Sequence, residues 1–205
     1  MHMQEVLIYL ENEYADWEIS HIGSQITSSN KYLVKYVAKT KDPVVSMSSL
    51  CMIPDYAADE VLNSEIGKFA MLILCGGMYW SKANFINEEA KKLVDLFLKN
   101  NKPIAAICDA TAFLACHGYL DDTPHTGNSI GHIIQVCPSY KGHSHYINEQ
   151  CVASESFITA NGTGEYEFVR EIVKRLEAKP AQEIDAWYHF RKKGLAAYIS
   201  EQSKK

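Results

Sequence analysis

The sequence predicts an α/β fold, a mostly parallel sheet with helices on both faces, and three observations carry that prediction. Short unbroken apolar runs recur at 6–10, 69–75 and 104–107. A strand buried on both faces needs such a run, whereas a strand with one wet face alternates. Helix-spaced apolar positions lie between them, most clearly Ala90, Leu93, Val94 and Phe97 after Asn87. Gly76-Gly77 and the run from Asn100 to Pro103 punctuate the segments where a strand or helix must stop.

Taken in order, 6–10 forms the first strand and Glu11-Asn12-Glu13-Tyr14 a polar loop after it. Asp16 is placed to cap a helix carrying Ile19, Ile22 and Ile26. Residues 32–38 read as the second strand, and 43–61 as irregular chain with β-prone pieces at Val44-Val45 and at 50–53. The strand at 69–75 is the most apolar, the helix from Asn87 follows it, and 104–107 leads straight into Cys108. A helix at 110–117 ends at Gly118, which suits a left-handed cap. Short strands are predicted at 133–136 and 157–160, and a helix at 165–176 facing the core with Val169, Ile172, Val173 and Leu176. Past Pro180, one helix over about 181–202 carries Ile184, Trp187, Tyr188 and Phe190 as an appendage to a single domain with its core at about 4–178.

The length of 205 residues suits one sizeable core, and 47% hydrophobic with 22% charged residues is an ordinary globular profile. A net charge of -5 without a basic cluster argues against a nucleic-acid partner, and Lys204-Lys205 reads as a solvated tail. No apolar run is long enough for a bilayer and no signal peptide is legible, so a cytoplasmic location away from the membrane is expected. The six cysteines form no CxxC pair and are expected as free thiols. His143 and His145 sit on a loop without a metal-binding pattern, and no phosphate-binding or dinucleotide motif occurs, so neither metal nor cofactor is expected.

Ligands of open α/β sheets collect outside the carboxyl ends of the strands. Three such ends deliver the stretch from Glu11 to Glu18, the pair Gly76-Gly77, and Cys108. A cysteine between a buried strand and a helix has its sulfur exposed by the sharp turn, and the helix N-terminus favours its thiolate. Gly76, Gly77 and Asp109 are placed to offer backbone N–H groups to an oxyanion, and with Asn128 they make up the candidate oxyanion and binding set. Trp17, Tyr79 and Trp80 flank these loops as candidate pocket walls, while Trp187, Tyr188 and Phe190 suit either a lid, an interface or plain packing.

Ala106-Ile107-Cys108-Asp109-Ala110-Thr111, preceded by Leu72-Ile73-Leu74-Cys75-Gly76-Gly77, resembles the ThiJ/PfpI superfamily. That superfamily takes in PfpI-type intracellular proteases, Parkinson-linked deglycase relatives and class I glutamine amidotransferase-like domains. The segments from Tyr14 to Glu18 and from His125 to Asn128 are similar to a YdeA-like bacterial branch. The resemblance implies a flavodoxin-like fold, usually a homodimer, with Cys108 as the nucleophile and Glu18 as a buried glutamate beside it. The histidine departs from the pattern. Asp109 stands where PfpI-type members have histidine after the nucleophile, and Asn128 where deglycase-like members have theirs. His125, three residues earlier, is therefore the candidate imidazole, with Asp109 orienting it or capping the helix.

The expected function is a cysteine-dependent hydrolase of the amidase or peptidase type, acting on a small-molecule or peptide substrate through Cys108, Glu18 and His125. Two other readings use the same sulfur: a redox sensor oxidised at Cys108, and a glyoxalase or deglycase activity on α-oxoaldehydes.

Overall fold

The computed structural model describes residues 3–202, so Met1, His2, Ser203, Lys204 and Lys205 lie outside the described residues. The chain runs β1 (Gln4–Tyr9), α1 (Asp16–Thr27), β2 (Tyr32–Ala38), a hairpin of β3 (Val44–Val45) and β4 (Cys51–Met52), β5 (Tyr56–Ala57) and α2 (Ala58–Leu62). It continues through β6 (Phe69–Leu74), α3 (Tyr79–Lys82), α4 (Glu88–Lys99), β7 (Ile104–Ile107), α5 (Asp109–Cys116) and α6 (Ile130–Val136). Last come β8 (Cys151–Ala153), β9 (Phe157–Ala160), α7 (Glu165–Arg175), α8 (Ala181–Lys193) and α9 (Leu195–Gln202). Seven strands form one sheet in the order β5-β2-β1-β6-β7-β9-β8. Only β8, at the edge, runs antiparallel to its neighbour.

Alternation along the central strands divides the interior in two. Leu7, Tyr9, Leu72, Leu74, Ile104 and Ala106 face one side, where α4 and α5 bring Leu93, Val94, Phe97 and Phe113. Val6, Ile8, Met71, Ile73, Ala105 and Ile107 face the other, covered by Ile19, Ile22 and Ile26 of α1 and Phe168, Val169 and Ile172 of α7. Each such side chain contributes roughly 1.5–3 kcal/mol on leaving water, which is why the strands tolerate no polar alternate. Asn87 caps α4 by accepting from the Ala90 N–H at 2.9 Å, as its position predicts. The chain passes from β1 to β2 on one side and later to β6 on the other, so the strand order reverses between β1 and β6. The loops after β1, β6 and β7 therefore share one end of the sheet. Among the described residues no helix is long and apolar enough to cross a membrane.

Several expectations are corrected. The predicted strand at 133–136 lies in α6, because Ser129 accepts from the His132 N–H and starts a helix that Ile133 anchors in the core. The single helix expected at 181–202 is interrupted at Gly194, which separates α8 from α9. Asp16 does not cap α1; the cap position is Ala15, and the Asp16 carboxylate accepts from the Ser48 hydroxyl at 2.8 Å. Cys116 and Cys137 are not free thiols but a disulfide with Cα atoms 5.2 Å apart. Closing this loop stabilises the chain by about 3 kcal/mol in the chain-entropy model. The aromatic residues of α8 pack on their own chain: Trp187 lies 5.9 Å from His21 and 6.0 Å from Tyr166, ring centre to ring centre.

Candidate active site

Cys108 separates β7 from α5 with φ 58° and ψ -133°, a conformation that costs a residue with a Cβ. Its backbone is fixed from two sides, since its N–H donates to Ala160 O at 3.0 Å and its carbonyl accepts from the Thr111 hydroxyl at 2.7 Å. Ala105, Ala106 and Ala110 are fully buried, so the turn packs tightly beneath the sulfur.

Glu18 comes to this turn from the first turn of α1, only 1% exposed. Its Oε2 accepts from the Gly76 N–H at 2.9 Å, which sets the carboxyl beside Cys108. A Cβ on Gly76 would strike Glu18 Oε2 and lie 2.6 Å from Cys108 Cβ, so only glycine permits the close approach. Gly77, at φ 142°, abuts the backbone of Glu13 and Tyr14. The Gly76 N–H is thus committed to holding the carboxylate rather than to an oxyanion.

Burial raises the Glu18 carboxyl from 4.5 to about 7, against the Gly76 N–H and the neighbouring Cys108 thiol, which favour its charge. Burial also pushes the Cys108 thiol up to about 12, and the neighbouring Glu18 charge pushes the same way. This corrects the expectation of a thiol lowered towards thiolate by the start of α5. Two acids share one buried space, and at neutral pH the pair keeps a proton between them.

The other side of the sulfur was only partly foreseen. Asn128 donates to Cys108 Sγ at 3.4 Å and to Asp109 Oδ1 at 2.9 Å, while its own Oδ1 accepts from the Gly162 N–H at 2.9 Å. Asp109 Oδ1 also pairs with His132 Nε2 at 3.0 Å. Neither His132 nor Gly162 is among the site residues that the sequence predicts. His132 sits one helical turn beyond the Ser129 cap, a signal masked by reading that stretch as a strand.

His125 is not brought to the sulfur. It is fully buried, with Nε2 2.5 Å from the Tyr140 hydroxyl and Nδ1 2.7 Å from Thr123 O. Both ring nitrogens are therefore engaged away from Cys108, and burial lowers the imidazole pKa. Trp80 is not a pocket wall either: it is 2% exposed and donates from its indole to Cys75 O at 2.9 Å, which fixes the loop after β6. Tyr79 packs against the core. Trp17 does line the cleft, with Met47 and Met78.

The sequence matches the DJ-1/PfpI family over residues 4–175. It is 30% identical to the uncharacterized protease YoaZ of Bacillus subtilis (strain 168), covering 98% of this chain and 97% of that one. It is 29% identical to the uncharacterized protease YdeA of the same organism, covering 94% and 93%. Among solved structures, the DJ-1 superfamily protein Atu0886 from Agrobacterium tumefaciens superposes with a TM-score of 0.82 at 26% identity, over 92% of this chain and 97% of that one. A thiJ/pfpI family protein from Bacillus anthracis reaches the same TM-score of 0.82 at 28% identity, over 100% and 98%. The mostly parallel sheet covered by helices is the flavodoxin-like fold of these neighbours. With the elbow, its glutamate and this match along most of its length, the chain belongs to the DJ-1/PfpI family.

Proposed function

We propose that the protein is a cysteine-dependent hydrolase of amides, peptides or similarly activated carbonyl compounds. The observation that supports this most is the Cys108 thiol on a strained elbow, beside a buried Glu18 whose carboxyl is raised by burial to about 7.

Glu18 in its charged form takes the thiol proton as sulfur attacks the carbonyl carbon. The C–S bond forms while the carbonyl π pair moves to oxygen, where the backbone N–H groups of Gly77 and Asp109 are the candidate donors. Collapse of the adduct breaks the bond to the leaving group, which departs with the proton from Glu18. Water then adds to the thioester, losing a proton to the Glu18 carboxylate. The C–S bond breaks, the acid is released and the thiol regains its proton. His132 acts at one remove: it steadies Asp109, which orients the Asn128 amide towards the sulfur.

A redox-sensor reading fits less well, because thiol oxidation follows thiolate character and exposure while burial lifts this thiol. The deglycase-like reading is weakened by Asn128 at the histidine position. The test is to mix the protein with p-nitrophenyl acetate and quench within the first turnover. An acetyl group on Cys108 in the peptide mass map is the expected result. Nitrophenol release without modification of Cys108 contradicts the proposal.

A further inference from the structure

The cleft over Cys108 encloses about 200 Å³, and the character of its walls limits what can occupy it. Trp17, Met47 and Met78 come from three separate segments, and each is 43–48% exposed (44%, 43% and 48%) although large and apolar. Burying that surface against a ligand is favourable, and methionine adapts to irregular shapes. Their placement is built. The Ser48 hydroxyl binds Asp16 at 2.8 Å and the Met47 N–H donates to Tyr14 O at 2.9 Å, which fastens the β3–β4 hairpin beside α1. The Met78 N–H donates to Glu13 O at 3.1 Å.

The charged side chains lining the same cleft are both acids, Glu18 and Asp109. No Lys, Arg or His lines it among the described residues. The nearby basic side chains are engaged: Lys82 pairs with Glu13 at 2.6 Å and His132 Nε2 bonds Asp109 at 3.0 Å. A carboxylate or phosphate on the substrate would meet negative charge without a counter-ion.

We infer that the substrate is a small uncharged carbonyl compound with an apolar arm, seated against Trp17, Met47 and Met78, and that anionic carbonyl compounds are rejected. The inference rests on the reading of Cys108 as the nucleophile, and its test separates the two. Cys108 is alkylated at pH 8 with iodoacetamide, N-benzyliodoacetamide or iodoacetate. Sulfur displaces iodide in each case, the C–S bond forming as C–I breaks and the thiol proton passing to the Glu18 carboxylate and from there to water. Each rate is followed by mass spectrometry and divided by that reagent's rate with N-acetylcysteine.

After this correction the benzyl reagent is expected to react about tenfold faster than iodoacetamide, and iodoacetate about tenfold slower. Trp17→Ala should bring the benzyl advantage below about threefold. Met78→Lys should bring iodoacetate to within about threefold of iodoacetamide, because it places a cation on the rim. Corrected rates that are equal for all three reagents overturn the substrate class while leaving the nucleophile intact. No modification of Cys108 by any of them overturns the nucleophile reading, and the substrate class with it.

Discussion

Cys108→Ala is expected to lower turnover of an activated ester by on the order of 10⁴-fold or more while leaving the fold intact. The large effect follows from Cys108 being the only thiol that lines the cleft among the described residues: Cys75 is buried and directed at Ala15 O at 3.5 Å, and the Ser81 hydroxyl on the rim donates to Met78 O at 3.0 Å. The fold should survive because alanine removes one sulfur from a partly exposed position and leaves the backbone hydrogen bonds to Ala160 and Thr111 available. Turnover measured alongside the far-ultraviolet circular dichroism spectrum checks both halves. A variant that folds and retains more than a tenth of the activity would remove the sulfur from the mechanism.

Glu18→Gln is expected to have opposite effects on activity and stability. Turnover should fall about 10²–10³-fold, the ordinary contribution of a positioned general base. Stability should rise above pH 7. The sign follows from proton counting: between pH 4.5 and about 7 the native Glu18 holds a proton that the unfolded chain has released. Stability therefore falls as pH rises through that window, and above it the buried charge costs about 3 kcal/mol. Glutamine carries no charge, and its amide oxygen still accepts from the Gly76 N–H. Denaturant unfolding of both proteins at pH 5 and pH 8 should show a gain for the variant only at pH 8. Equal stability at pH 8 would mean that Glu18 is not held as an unwelcome charge.

The elbow was legible because it is local: a four-residue apolar strand, one cysteine and a helix occupy consecutive positions, and Gly76-Gly77 ends the neighbouring strand. Glu18 was legible through the loop that β1 delivers to the same sheet end. On the far side of the sulfur Asn128 was legible as a binding residue, but His132 and Gly162 were not, because they reach Asp109 and Asn128 only through tertiary packing. His125 was favoured for its nearness in sequence to position 128. The extended chain there turns its ring instead towards Tyr140 and Tyr146, with centroids at 5.7 and 5.8 Å.

The direction of the Cys108 shift was misread for a related reason. A helix start is visible in sequence and lowers a thiol pKa, whereas the depth of the sulfur and the carboxylate beside it depend on how α1 packs on the sheet. Here burial outweighs the dipole. The Cys116–Cys137 pairing was hidden too, because it requires the ends of α5 and α6 to lie together, and α6 itself was read as a strand.

Cys108 and Glu18 holding one proton in common is the claim on which the chemistry stands, and the pH dependence of iodoacetamide labelling tests it most directly. For the natural sequence, the Cys108 labelling rate should rise through about pH 7, as the carboxylate becomes able to accept the thiol proton, and then level off. In Glu18→Gln that rise should vanish, leaving a single ascent at alkaline pH. A single alkaline ascent in both proteins would show that the glutamate and the sulfur titrate independently.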